Sequence, residues 1–416
     1  MASGPALGHA LGVIPLEEAR SHVLDRVGTL PAVSVSLADA AGLVLAEPIV
    51  AQELVPPFAN TAMDGFAVIA ADTADAPVTL EVAGTVAAGA PATRPLGPGQ
   101  AMRIMTGAPM PEGADAVVMV ERTSHDAENG LVDVEISVGE GNHVREAGED
   151  VRPGDELFGA GTVLAAGHLG VLASVGIGAV RAHRRPGVGV VSTGDELVDD
   201  GRPLKPGEIR DSNRRTLLTM LDESGMEPVD LGIARDNEAD IAEAFTQGAA
   251  RCDAILSSGG VSMGAFDYVK VVLDRLGDMR WMQIAIKPAK PFAFGLIGTT
   301  PVFGLPGNPV SSMVSYELFA RPALRRMAGH ALIARPVRRA VSEDPLGRHD
   351  DGKTHFIRVT GGPDETGRWH VRKLTGQGSH QLTAMARASA LAIVPEGVEI
   401  AVGDEVEIIG LGTVVA

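Results

Sequence analysis

Asp253-Ala-Ile-Leu-Ser-Ser-Gly-Gly-Val-Ser-Met-Gly-Ala-Phe-Asp-Tyr-Val-Lys270 runs from a short apolar segment through a glycine- and serine-rich turn into a second apolar pattern. Ala254, Ile255 and Leu256 predict a buried strand, and Val269, Val272, Leu273 and Leu276 recur at helical spacing beyond the turn. Gly259, Gly260 and Gly264 carry no Cβ, so the backbone between strand and helix can adopt left-handed φ and approach a ligand closely. Ser257, Ser258 and Ser262 add hydroxyl donors, and the N–H groups opening the next helix would face the same point. On its own the turn fits two readings equally, a cradle for a phosphate or other oxyanion and a tight turn with glycines for packing.

Strand and helix signals alternate around this stretch. Residues 188–191 read as a buried strand entering Ser192-Thr-Gly-Asp-Glu196, and Ser212 caps a helix carrying Leu217, Leu218 and Leu221 that Gly225 stops. Residues 229–233 give another strand, Asn237 caps a helix with Ile241, Ala244 and Phe245, and 300–305 supplies a further strand. Asn308 and Pro309 are an N-cap followed by proline at the first helical position, opening a helix to about residue 328. The alternation predicts a three-layer α/β domain with a parallel sheet over 183–330, and open sheets of this kind bind ligands at the C-terminal ends of their strands.

The flanks read differently. Pro15 followed by Leu16, Ala19, Val23, Leu24 and Val27 predicts an amphipathic helix ending at Gly28, and 165–174 predicts a helix returning to the same unit. The expected organisation is a discontinuous N-terminal domain (1–52 and 143–182) around a β-rich domain (53–142), where short runs at 78–82, 101–105, 116–120 and 131–136 alternate with turns. Period-two runs at 337–341, 355–359, 369–374, 391–394 and 406–409 predict a small C-terminal β-barrel domain over 335–416. The fold class is thus multidomain α/β plus β. With 416 residues, about three or four domains are expected from ordinary domain size.

Composition excludes several classes. The formal net charge is −18 with no compensating basic block, which argues against general nucleic-acid binding. The longest apolar runs fall short of the roughly 20 residues that a membrane helix needs. The first twelve residues lack the basic start and apolar block of a secretory signal, and Cys252 is the one cysteine, so a reducing cytoplasm is expected. No Cys/His group has zinc spacing, and neither Gly-x-Ser-x-Gly nor a Walker-type lysine loop occurs.

Against that acidic field, clustered cations are informative. Lys287-Pro-Ala-Lys290-Pro291 fixes two ammonium groups on a stiff segment suited to an oxyanion. Gly304-Leu-Pro-Gly-Asn-Pro-Val-Ser-Ser312 offers a second helix start, with Pro306, Asn308, Pro309 and Ser311 at the turn. Asp195, Glu196, Asp236 and Asp267 fall in turns on the same edge. Carboxylates beside a phosphate need an intervening cation, and Mg²⁺ prefers carboxylates together with phosphate oxygens; each acid as a helix cap is the plainer alternative. Asp64, in Asp64-Gly65, and Thr106, in a Pro-containing turn, read as turn residues. The residues alone lead to an enzyme acting on a nucleotide-like phosphate compound with Mg²⁺.

The ordered motifs Asn60-Thr-Ala-Met-Asp-Gly-Phe66, Arg103-Ile-Met-Thr-Gly107, Ser192-Thr-Gly-Asp-Glu-Leu197, Ser258-Gly-Gly-Val-Ser262, Lys287-Pro-Ala-Lys-Pro291 and Leu305-Pro-Gly-Asn-Pro-Val-Ser311 resemble the MoeA family of molybdopterin molybdenumtransferases, which includes the gephyrin E domain. The resemblance spans nearly the whole chain. It implies that molybdate is inserted into adenylylated molybdopterin with Mg²⁺ and release of AMP. It further implies that Asp236 and Asp267 handle the metal and pyrophosphate with Glu196 beside them, and that Ser258, Gly259, Gly260 and Ser262 take part in binding. By the same resemblance Lys287, Lys290, Ser311, Arg358 and Ser379 hold molybdate, and Asp64, Thr106 and Asp150 complete the site from the second subunit of an elongated homodimer. That would reverse the turn-only reading of Asp64 and Thr106. Molybdopterin adenylyltransferase and molybdoenzyme maturation proteins are compatible partners. Ala289 stands where glycine is commoner in the family and Ala265 where an acid is common. The competing readings are the related adenylyltransferase, which has only the central α/β unit, and a non-catalytic scaffold, for which an additional domain and long linker would be expected.

Overall fold

The computed structural model of the chain describes residues 12–260 and 268–412. They form two compact units: a smaller one of residues 34–41 and 47–180, and a larger one of 42–46, 181–412 and the described part of 1–33. Among the described residues no helix is long and apolar enough to cross a membrane.

In the larger unit a seven-stranded sheet runs in the order Val13–Ile14, Asp278–Ile284, Pro291–Ile297, Thr300–Leu305, Ala254–Ser258, Gly187–Thr193, Glu227–Ala234. The last four are mutually parallel. The expected all-parallel sheet is corrected at the other end, where Pro291–Ile297 lies antiparallel to both its neighbours. The reason is local: only Gly298, at φ +60°, and Thr299 separate it from Thr300–Leu305, and two residues can close a hairpin but not a crossover.

Side-chain alternation builds the three layers. Ala254 and Leu256 face a core with Leu217, Leu221, Phe303 and Val314, while Ile255 turns to the opposite core with Ile241, Phe245, Val272 and Leu273. Helices Ser212–Glu223 and Pro309–Ser315 therefore cover one face, and Glu238–Arg251 and Tyr268–Leu276 the other. Each fully buried Leu, Ile or Phe contributes about 1.5–3 kcal/mol. The helix expected to continue to about residue 328 does so, through a π turn at Tyr316–Ala320 and then Arg321–Met327. Pro322, lacking an N–H, disturbs the regular ladder just after that turn.

Five strands, Val337–Ser342, Thr354–Pro363, Trp369–Lys373, Ala390–Val394 and Glu405–Gly410, close into a barrel because Thr354–Pro363 pairs on both sides. Its interior holds Ala340, Ile357, Val359, Val371, Ala392 and Val406. A short strand, Ile286–Lys287, leaves the α/β part to run parallel to the start of Thr354–Pro363.

The smaller unit carries a six-stranded sheet in the order Thr123–Asp126, Leu131–Val134, Val78–Val86, Gln100–Ile104, Gly65–Val68, Ala116–Met119. Gly65 is required there, since a Cβ would sit 2.0 Å from the Val118 carbonyl oxygen. The helix Ala166–Ser174 belongs to this unit, and Val175 just beyond it packs on Ala51 and Val151.

Candidate functional site

Three parallel strands deliver their C-terminal ends side by side in the larger unit, and the turns that follow them interlock. Gly259 and Gly260 have φ of +98° and +70°. A Cβ on Gly259 would meet Thr193 Oγ1 at 3.0 Å, and one on Gly260 would meet Val269 Cγ2 at 2.3 Å, so both glycines are demanded by packing as well as by backbone conformation. The Gly259 N–H donates to the Leu305 carbonyl at 3.1 Å, binding this turn to the one that opens with Pro306. Asn213 lies above both: its Nδ2 donates to Ser258 Oγ at 2.8 Å and to the Gly307 carbonyl at 2.7 Å.

The acids occupy the outer part of the edge. Glu196 is exposed and folds back over Gly194, where a Cβ would come within 2.4 Å of Glu196 Oε2. Asp236 is exposed, and its backbone N–H donates to Asp195 Oδ1 at 3.2 Å. Asn237, not Asp236, caps the helix that follows, accepting from the Asp240 N–H at 2.9 Å. Asp267 and Ser262 lie outside the described residues. Among the described residues no group of three or more His, Cys, Asp or Glu side chains is arranged to hold a metal ion. The donors present are hard carboxylate oxygens, which fit Mg²⁺ when phosphate oxygens supply most of the ligands.

The cationic group forms where the α/β part meets the barrel. Lys287 stands in register with His355, and Lys287 and Lys290 are both exposed. Between them Ala289 is buried and has φ +76°, the left-handed region, which glycine would occupy without strain. Arg358, on the same barrel strand, is 0% exposed. Its Nη2 donates to the carbonyls of Gly376 at 2.5 Å and Gly378 at 3.2 Å, while Nε and Nη1 are buried with no partner among the described residues. Burial holds its pKa below the usual arginine value. Gln377 clamps the same loop to the strand, accepting from the Arg358 N–H and donating to the Arg358 carbonyl, each at 3.0 Å.

Ser379 follows on that loop, and its carbonyl accepts from the Val310 N–H at 3.0 Å. This narrows the expected helix-start device. Pro309 has no N–H and the Val310 N–H is engaged by the barrel loop, so the helix start does not present a full ring of free amides, and Ser311 beside it is buried. Asn308 sits at the N-cap position without a side-chain cap bond.

In the smaller unit, antiparallel pairing of Gly65 with Ile104 brings the residues beside each together. The Asp64 carboxylate accepts from the Thr106 N–H at 2.6 Å and from Thr106 Oγ1 at 2.7 Å. These bonds, with Arg103 nearby, hold the carboxyl below the usual aspartate pKa. The Asp150 N–H donates to the Val55 carbonyl at 2.9 Å. Cys252 is buried and its thiol is pushed up by burial, so it remains protonated.

One expectation needs amendment. Asp211, not Ser212, caps the helix Ser212–Glu223, because its carboxylate accepts from the Arg214 N–H at 3.2 Å, from Arg214 Nε at 2.9 Å and from Ser192 Oγ at 3.0 Å. A serine could not satisfy all three. Asn213 and Gln377 escape sequence reasoning altogether, since their partners lie on other elements.

Comparison with known proteins decides the family. Residues 14–176 match the MoeA N-terminal region (domain I and II), 189–326 a probable molybdopterin binding domain, and 347–411 the MoeA C-terminal region (domain IV). The chain belongs to the MoeA family. The MoeA-family relative named molybdopterin molybdenumtransferase in Haemophilus influenzae is 36% identical over 386 residues, covering 92% of this chain and 95% of that protein. A relative of the same name in Bacillus subtilis is 35% identical, covering 87% and 86%. Among solved structures, a molybdopterin biosynthesis MoeA protein from Pyrococcus horikoshii superposes with a TM-score of 0.79 at 32% identity, covering 96% of this chain and 99% of that one.

Proposed function

We propose that this chain is a molybdopterin molybdenumtransferase, which inserts molybdate into adenylylated molybdopterin and releases AMP. The observation that carries the reading is the Arg358 guanidinium, fully buried, with Nε and Nη1 unpartnered and no carboxylate bonded to it among the described residues. A buried cation without a counter-charge is costly, and a dianionic oxyanion supplies both the missing charge and the missing acceptors. Membership in a family whose curated relatives carry the transferase name supports the same reading.

In this account Lys287, Lys290, Arg358, Ser311 and Ser379 hold molybdate, the two lysines as point charges and Arg358 as a fixed fork. Ser258, Gly259 and Gly260, with the Pro306–Asn308 turn, hold the pyrophosphate of the pterin substrate, so that its dithiolate is presented to the oxyanion. Preorganised donors lose no freedom as charge redistributes, which is their main contribution to rate. Asp236 and Asp267 would hold Mg²⁺, with Glu196 beside them; bound there, the ion neutralises pyrophosphate charge. Asp64, Thr106 and Asp150 complete the site from the smaller unit of a second copy in a cytoplasmic homodimer. The buried, protonated Cys252 is no thiol ligand, and none is needed, because the pterin brings its own sulfurs.

The test is molybdate-dependent AMP release from adenylylated molybdopterin by the purified chain. ATP consumption with pterin adenylylation would instead identify an adenylyltransferase, and no turnover would contradict both.

A further inference from the structure

Asn213 lies outside every motif used above, yet it touches both glycine turns. Its Nδ2 donates to Ser258 Oγ at 2.8 Å and to the Gly307 carbonyl at 2.7 Å, partners 45 and 94 residues away in sequence. A backbone carbonyl can only accept, so the amide orientation is fixed: the NH₂ group faces Gly307, and its second hydrogen goes to Ser258. Ser258 is buried and spends an acceptor lone pair on Asn213, which leaves its own hydrogen free to donate.

We propose that Asn213 is a positioning residue for the anion site: it joins the Gly259–Gly260 and Pro306–Gly307 turns and sets the polarity of Ser258, so that the hydroxyl donates to a phosphate oxygen of the substrate. The proposal rests on the reading of these turns as the pyrophosphate side of the site. The neighbouring residues support it mechanically. Asp211, one residue outside the helix, binds Ser192 Oγ at the end of Gly187–Thr193 and Arg214 Nε. Arg214 in turn reaches Asp230 on Glu227–Ala234 at 2.5 Å. The first turn of one helix therefore reaches all four parallel strands, three at or just beyond their C-terminal ends and Glu227–Ala234 at its middle, and Asn213 is its contact with the two central turns.

Asn213→Asp separates polarity from packing. The side chain keeps its shape, and an acid in the first helical turn is favourable to the helix dipole, so folding is retained. The carboxylate, however, accepts the Ser258 hydrogen, withdraws it from the ligand, and repels both the Gly307 carbonyl and an incoming anion. The expected result is a loss of affinity for adenylylated molybdopterin of about ten- to hundred-fold, the size of one hydrogen bond to a charged group, with a cooperative unfolding transition retained and molybdate affinity unchanged. Asn213→Ala, which leaves the Ser258 hydrogen free, should lose less than Asn213→Asp; equal losses would reduce Asn213 to a packing role and overturn the proposal. Wild-type affinity in Asn213→Asp would also overturn it. Inorganic pyrophosphate serves as a second probe: if the wild type binds pyrophosphate and not the pterin, and Asn213→Asp loses the pyrophosphate, the proposed function fails while the clamp stands. Binding of neither probe by the wild type overturns both.

Discussion

Arg358 is the residue at which stability and function pull hardest against each other. It is buried without an ion-pair partner among the described residues, and such a charge typically costs more in desolvation than two carbonyl hydrogen bonds return. Arg358→Met, which keeps the stem volume, is therefore expected to leave stability unchanged or raise it by about 1–3 kcal/mol, while weakening molybdate dependence of turnover at least about tenfold. Urea unfolding and a molybdate titration check the two halves, and lost stability with unaltered molybdate dependence would make Arg358 a structural residue. Ala289 poses the same balance on a smaller scale. Glycine would relieve left-handed strain of about 1–2 kcal/mol, but would give up a buried methyl worth about 0.8 kcal/mol and would loosen the unfolded chain by about 0.4–1 kcal/mol. The terms nearly cancel, so Ala289→Gly should unfold at a urea midpoint close to wild type; a loss of more than about 2 kcal/mol would show that Ala289 carries no such strain.

Helix ends carry the next level of information. The helix Arg321–Met327 closes with the Gly329 N–H on the Arg326 carbonyl and the His330 N–H on the Arg325 carbonyl, both at 3.0 Å, with Gly329 at φ +82°. A protonated histidine would normally favour this negative end of the helix dipole. Here burial, then Arg325 and Arg321, push His330 from 6.5 down to about 4. A group whose folded pKa is depressed contributes stability that is complete above the unfolded value and is lost as pH falls toward the folded one, here from about 6.5 to about 4. His330→Gln should accordingly lose less melting temperature than wild type between neutral pH and pH about 4.5, and identical pH slopes would contradict the assignment. The same level shows what a sequence can and cannot disclose. Ala254–Ser258, Gly187–Thr193 and the barrel strands are legible because apolar runs with period two or complete burial leave one choice. The antiparallel hairpin at Gly298 is not legible in this way, because the 291–297 run follows the proline-bounded Lys287 segment directly and only two residues part it from Thr300–Leu305. Asp64 and Thr106, 42 residues apart, read as separate turns until strand pairing joins them, and Asn213 has no local signal for partners on another strand and on a distant turn.

At the scale of the whole molecule, a chain of net charge −18 must concentrate its few cations to attract molybdate at all, and Lys287, Lys290 and Arg358 are contributed by the junction of two sub-structures of one unit. Asp64, Thr106 and Asp150 lie in the other unit. If a second copy supplies them, Asp64→Asn and Lys287→Gln should each be inactive alone, and mixed dimers should regain about a quarter of wild-type activity, since half the dimers then hold one intact site of two. Failure of mixed dimers to recover would restrict the site to a single chain. The central claim concerns the chemistry itself, and it is tested most directly by counting molybdenum retained on the pterin against AMP released in one reaction with adenylylated molybdopterin and molybdate. Insertion predicts one molybdenum on the pterin for each AMP, and no AMP when molybdate is omitted; AMP released without molybdenum on the pterin would contradict it.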